Sequence, residues 1–187
     1  MVGRSNVGKS SLINALTRRS VARTSAAPGK TRLANFYRVR RASGSPLYLV
    51  DLPGFGYARG GGNAAREFSR LTEAFFERPG ARGVVLLVDA RHPGLEADRE
   101  AWAWLQAGQC PSHVVATKVD KLTRAERDRN YRALQSSFHD AVLPVSVRTG
   151  EGLEELWKLI TQLPKQTVVA GPLPRPQPPP LKTIRPR

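Results

Sequence analysis

Lys9 and Ser10 close the run Gly3-Arg4-Ser5-Asn6-Val7-Gly8-Lys9-Ser10, and Ser11 leads into the apolar helical pattern Leu12-Ile13-Asn14-Ala15-Leu16. A loop of this spacing that ends in Gly-Lys-Ser and opens a helix suits a polyphosphate. Successive backbone N–H groups, an ammonium and the positive end of a helix converge on one anion. Gly8 lets the chain turn and approach the phosphates closely. Lys9 reaches the β and γ phosphates, and Ser10 offers a hydroxyl to magnesium. Taken alone, the run is also readable as an ordinary glycine turn ahead of a helix. What lies downstream decides against that reading.

Asp51-Leu52-Pro53-Gly54 ends an apolar run. An aspartate there holds magnesium through its water shell, and the Gly54 N–H meets a γ-phosphate oxygen. Thr117-Lys118-Val119-Asp120 follows a later apolar run. The Asp120 carboxylate accepts two hydrogen bonds from guanine, at N1–H and the exocyclic amine. Adenine supplies neither, so it would leave a desolvated carboxylate unpaired. The stem of Lys118 lies along the base. Val145-Ser146-Val147 could present backbone N–H groups to the guanine O6, and Thr31, in Pro28-Gly29-Lys30-Thr31-Arg32, could offer a second hydroxyl to magnesium. Each signal alone is weak and an exposed loop threonine is the commoner explanation, but their place in the ordered series favours both. Guanine is therefore favoured over adenine.

These groups need a scaffold that brings separated loops to one edge. Apolar runs alternate with amphipathic stretches up to Pro164, as in an α/β domain whose sheet is covered by helices. Strands are expected over 36–41, 47–51, 83–89, 113–117 and 141–146, and helices over 9–17, 64–77, 95–107, 123–138 and 153–163. The unbroken run Val84-Val85-Leu86-Leu87-Val88 suits a parallel strand buried on both faces. Thr123-Arg124-Ala125-Glu126 has capping-box form. Trp102, Trp104, Trp157 and Phe138 are expected to pack helices on the sheet. Only Met1 and Val2 precede the phosphate loop, so the first core strand is expected to be truncated, with a chain that starts upstream as the simplest reason.

Composition bounds the rest. Thirty basic against fifteen acidic residues give +15, which favours a polyanionic partner, nucleic acid ahead of membrane. A single cysteine, Cys110, excludes an internal disulfide and a cysteine metal cage. No signal peptide or long apolar run is present, so a cytoplasmic protein without integral membrane association is expected. Residues 165–187 hold seven prolines, five basic residues and no acid, and read as an extended or disordered basic tail.

The segments Gly3–Leu16, Pro28-Gly29-Lys30-Thr31, Asn35-Phe36-Tyr37, Asp51-Leu52-Pro53-Gly54-Phe55-Gly56-Tyr57-Ala58, Asp89-Ala90-Arg91-His92 and Thr117-Lys118-Val119-Asp120-Lys121 together resemble the EngB family, also called YihA or YsxC. It is a bacterial branch of the Era-like GTPases, and the resemblance covers residues 3–163. It implies a three-layer P-loop GTPase domain over 1–164, with a mostly parallel central sheet and helices on both faces, and a tail over 165–187. It implies a magnesium-dependent GTPase, expected to be a monomer. The implied partner is the precursor of the large ribosomal subunit, both rRNA and ribosomal proteins. The implied cellular role is late assembly of that subunit, with a requirement in cell division and septation.

Residue by residue, the resemblance places phosphates on Gly3, Arg4, Ser5, Asn6, Val7, Gly8, Lys9 and Ser10, and magnesium on Ser10 and Thr31. The switch elements are Gly29, Lys30, Thr31, Arg32 and Leu33, then Asp51, Leu52, Pro53 and Gly54. Guanine goes to Thr117, Lys118, Val119 and Asp120, and to Val145, Ser146 and Val147. Catalysis is assigned to Lys9, Thr31 and Gly54. The family usually has a second serine where Val147 stands. Phe55 occupies the place where Ras-like enzymes carry a glutamine that orients water, so slow turnover is expected, with a partner or an ion needed for speed. In related GTPases an asparagine at the place of Asn6 helps hold potassium beside the phosphates, which makes K+ a second candidate cofactor; a loop-stabilising bond is the alternative. A nucleotide-gated RNA-binding module whose hydrolysis hardly matters is the competing functional class.

Overall fold

The computed structural model describes residues 1–22, 34–39, 46–55, 75, 83–107 and 111–166. In chain order these form β1 (Val2–Gly3), α1 (Lys9–Thr17), β2 (Asn35–Val39), β3 (Leu47–Asp51), β4 (Val84–Asp89), α2 (Glu96–Ala107), β5 (Ser112–Thr117), a 3-10 turn (Val119–Lys121), α3 (Arg124–Phe138), β6 (Val142–Val145), α4 (Leu153–Gln162) and a second 3-10 turn (Leu163–Gln166). The expected helix over 64–77 lies outside the described residues except for Phe75, which is helical. The switch residues 29–33 and the tail beyond Gln166 lie outside them too.

Strands β1, β4, β5 and β6 pair in that order, all parallel, and β2 pairs with β3 antiparallel. The two ladders meet at β1. On the side away from β4, Met1 C=O accepts from the Leu52 N–H at 3.3 Å, and Arg4 bridges Phe55 in parallel sense. The result is a mostly parallel α/β fold with one antiparallel hairpin at the edge. β1 is two residues long, in register with Leu86 and Leu87 of the six-residue β4.

All six residues of β4 are buried, and alternation sends them to opposite layers. Leu86 and Val88 join Trp102, Leu105, Leu134 and Phe138 from α2 and α3. Val85 and Leu87 join Leu12, Leu16, Leu156 and Ile160 from α1 and α4. Helices therefore cover both faces, which is why the strand needs no polar side. Trp102 meets Phe138 edge-on at 6.2 Å between ring centroids, and its indole N–H donates to the Phe138 carbonyl. The Trp157 indole donates to the Leu16 carbonyl and ties α4 to the end of α1. The capping box opens α3 as its sequence implies: Thr123 Oγ1 accepts from the Glu126 N–H, and the Glu126 carboxylate accepts from the Thr123 N–H. Parallel strands with helices behind them bring the loops after β1, β3, β5 and β6 to one edge.

Candidate nucleotide site

The loop between β1 and α1 is held open by backbone geometry. Gly8 sits at φ 109°, a region that suits glycine, and the space where its side chain would stand is empty out to 4 Å. Asn6 is also left-handed, at φ 61°. Helix α1 begins without a side-chain cap and without an acid in its first turn. The first backbone hydrogen bond of the helix is Leu12 N–H to the Gly8 carbonyl at 2.9 Å. Its opening N–H groups thus face that concavity with the positive end of the helix dipole behind them.

Lys9 folds back over the loop, its Nζ donating to the Gly3 carbonyl at 3.0 Å and to the Arg4 carbonyl at 3.1 Å. Burial pulls its ammonium down to about 8, against the opposing pull of Asp51. Across from it the Ser10 hydroxyl donates to Asp51 Oδ2 at 3.2 Å. Asp51 Oδ1 is buried and has no hydrogen-bond partner among the described residues. An orphaned carboxylate oxygen next to a serine hydroxyl is a donor set suited to a hard divalent cation. Burial raises the Asp51 carboxyl, only partly opposed by Lys9 and Ser10.

The segment after β3 lies directly on the loop. Ser5 N–H donates to the Phe55 carbonyl at 3.3 Å, and a Cβ on Gly54 would stand 2.7 Å from Ser5 N and 2.9 Å from Ser5 Cα. Only glycine fits that approach. The Phe55 side chain is partly buried against the core.

Thr117 ends β5, and its hydroxyl donates to the Val7 carbonyl at 2.7 Å, with the Val88 carbonyl at 3.1 Å also in reach. This threonine therefore fixes the phosphate loop from below. Lys118, left-handed at φ 62°, sends its Nζ to the Asn6 carbonyl at 2.6 Å and to Asp89 Oδ2 at 2.9 Å. The Ser146 hydroxyl donates to Asp120 Oδ1 at 2.7 Å and accepts from the N–H groups of Arg148 and Thr149. Asp120 itself is half-buried. The expectation for residues 145–147 narrows here: the Ser146 N–H is taken by the Glu151 carbonyl at 3.0 Å, and Val145 lies within the β5–β6 ladder. Val147, 39% exposed, carries the remaining backbone donor.

Arg4 does not point toward the loop's concavity. Its Nε binds Asp98 of α2 at 3.1 and 3.2 Å, with the arginine 26% and the aspartate 1% exposed. Sequence reasoning missed this pair, because Asp98 reads as one more acid in the first turn of an amphipathic helix. Burial raises the Asp98 carboxyl, and Arg4 opposes that shift. A carboxyl raised by folding favours the folded state most at low pH and loses that advantage as pH rises through the carboxylate range. Arg4→Met removes the opposing charge. Allowing for Arg4's exposure, it is expected to cost about 1–3 kcal/mol near neutrality. Denaturant unfolding at about pH 4.5 and about pH 7.5 checks this. The deficit should be larger at the higher value, and equal deficits would remove Asp98 from the explanation.

Comparison with known proteins agrees with this geometry. A family model described as 50S ribosome-binding GTPase matches residues 1–118. The probable GTP-binding protein EngB of Solibacter usitatus (strain Ellin6076) is 44% identical over 162 residues, covering 86% of this chain and 82% of the relative. The corresponding protein of Thermotoga maritima is 42% identical over 170 residues, 88% of this chain and 85% of that one. Among solved structures, Era in complex with MgGDPNP and nucleotides 1506-1542 of 16S ribosomal RNA superposes with a TM-score of 0.73 at 25% identity, over 87% of this chain and 54% of Era. A probable GTP-binding protein engB superposes with a TM-score of 0.66 at 24% identity, over 89% of this chain and 97% of its own. Similarity on this scale, over a site of this shape, makes the chain a member of the EngB family of GTP-binding proteins and a P-loop GTPase.

Proposed function

We propose that this GTPase works as a slow magnesium-dependent switch in assembly of the large ribosomal subunit, with normal division and septation depending on that step. The observation that carries the nucleotide part is the pairing of Asp120 with Ser146. One carboxylate oxygen accepts from the serine hydroxyl, which ties the loop after β5 to the loop after β6, where Val147 is 39% exposed. Guanine presents two donors and one acceptor on the matching edge, so Asp120 takes N1–H and the amine, and Val147 meets O6. At the other end the uncapped start of α1 and Lys9 receive the β and γ phosphates.

The donor set at Ser10 and Asp51 fits magnesium, which when bound would neutralise charge between the β and γ phosphates. Thr31 is the second protein hydroxyl in this reading. Catalysis falls to Lys9, Thr31 and Gly54, as charge and position rather than as a base, because Phe55 turns toward the core and has no group to orient water. Potassium beside Asn6 belongs to the same reading and rests on the resemblance to related GTPases.

The ribosomal part is supported by the +15 charge and by the description of the matched family. Era, whose fold this chain shares, carries MgGDPNP and ribosomal RNA in one complex. The same charge and the same Phe55 favour a second reading, an RNA-binding module gated by nucleotide with negligible hydrolysis. Ribosomal particles captured on the full chain loaded with a non-hydrolysable GTP analogue or with GDP test the first reading. Large-subunit precursors are expected with the analogue only, and binding is expected to weaken steeply between about 50 and 200 mM salt. Equal capture in both states would remove the switch. A flat salt response would remove RNA. Asp51→Asn separates the two readings: retention on the particle supports release by hydrolysis, and normal release supports gating.

A further inference from the structure

Asp89, at the end of β4, is the best-satisfied carboxylate among the described residues, and none of the roles above uses it. Arg91 binds it in a fork, Nε to Oδ1 at 2.9 Å and Nη2 to Oδ2 at 2.8 Å, and the Arg91 N–H adds a third bond to Oδ1 at 3.1 Å. The fourth bond comes from Lys118 Nζ to Oδ2 at 2.9 Å. Burial by itself would raise this carboxyl, yet the bonds from Arg91 and Lys118 hold it well below the usual carboxylate range. The charge is therefore present at all working pH values, and its direction is fixed by the arginine fork.

The same Lys118 ammonium also donates to the Asn6 carbonyl, at 2.6 Å. Asn6 and Lys118 are both non-glycine residues in the left-handed region, on two different loops. Conformations of this kind persist only where the surroundings over-determine them. One ammonium links the two strained residues, and one oriented carboxylate holds that ammonium in place.

We propose that Asp89, oriented by Arg91, is a positioning residue that fixes the Lys118 side chain and so locks the base loop to the phosphate loop in the geometry that receives a guanine nucleotide. The inference rests on the assignment of Lys118 to the base. It adds that the assignment depends on a residue that touches neither base nor phosphate. In Asp89→Asn, shape and size are kept while the charge is lost. Lys118 Nζ then faces a neutral amide and the Asn6 carbonyl in competition with water, and its stem is less firmly held for the base.

The test is a double-mutant cycle on the full chain, with GDP affinity in magnesium buffer measured by calorimetry and the nucleotide-free melting temperature measured alongside. Asp89→Asn is expected to weaken GDP by about tenfold, the size of effect seen for partners that orient a binding group. In a Lys118→Met background the same change should cost almost nothing, because the group it acts through is gone. Effects that multiply across the two backgrounds would overturn the proposal and make Asp89 a scaffold residue. Should Asp89→Asn fail to fold, Arg91→Gln loosens the same carboxylate from a more exposed position, 41% accessible. It is expected to weaken GDP by about threefold in the parental background and not in Lys118→Met. Loss in both backgrounds would overturn the proposal equally. An unmodified chain that fails to bind GDP would take down the base assignment itself, a result distinct from a multiplicative cycle.

Discussion

Asp120→Asn is expected to weaken GDP by about a thousandfold while leaving thermal stability unchanged, and to create affinity for the xanthine nucleotide. The Ser146 hydroxyl donates to Asp120 Oδ1, and an asparagine keeps that bond by turning its carbonyl oxygen to the serine. The amide nitrogen then takes the place of Oδ2. Guanine offers two donors there, so donor meets donor and the base loses two charge-assisted bonds. Each such bond is worth about 1.5–3 kcal/mol, which sets the thousandfold scale. Xanthine carries a carbonyl at the position of the guanine amine and accepts from the new amide. Titration with GDP, XDP and ADP reads the outcome. Unaltered GDP affinity would show that the base does not sit at this carboxylate.

Gly54→Ala should reduce GTP hydrolysis by about a hundredfold or more and leave GDP binding in place. The added methyl would stand 2.7 Å from Ser5 N and 2.8 Å from Ser5 Oγ, inside contact distance, with the backbone of the phosphate loop as the obstacle. Backbone cannot swing aside as a side-chain tip can, so residues 52–55 must lift away and the Ser5–Phe55 bond opens. The Gly54 N–H then no longer reaches a γ-phosphate, and a preorganised donor to the transferred group is lost. GDP has no γ-phosphate and is indifferent to that donor. Single-turnover hydrolysis and GDP titration on the same sample separate the two effects. A parental hydrolysis rate would place Gly54 away from the chemistry.

Local features were legible in the chain and long-range ones were not. The six-residue apolar run of β4 and the Thr123–Glu126 capping box each need only neighbours in sequence, and both elements start within a residue of their expected place. Gly8, Lys9 and Ser10 sit one after another, so their convergence follows from the loop itself. Thr117 is different. Its sequence context assigns it to the base, but its hydroxyl reaches the Val7 carbonyl, a contact made only when β5 lies beside the phosphate loop. Spacing offers the Ser146 N–H to a base, but in the structure the Glu151 carbonyl accepts that N–H while the Ser146 hydroxyl donates to Asp120, in a turn that spacing alone does not reveal. The Arg4–Asp98 pair and the Arg91–Asp89–Lys118 cluster likewise join separate elements. Motif position located Asp89-Ala90-Arg91 as a feature, but the chemistry of its carboxylate emerged only with the partners in place.

Helix α1 starts on a left-handed glycine, with no side chain to satisfy its opening amides and no acid in its first turn. Elsewhere in the molecule, at α3, the chain supplies its own closure. For α1 the proposed nucleotide would supply that closure, so occupancy and folding would draw on the same free energy. At a nucleotide concentration a hundred times the dissociation constant, the native state gains about 2.7 kcal/mol. Withdrawal of nucleotide is therefore expected to lower the melting temperature of the chain and to speed its cleavage by added protease.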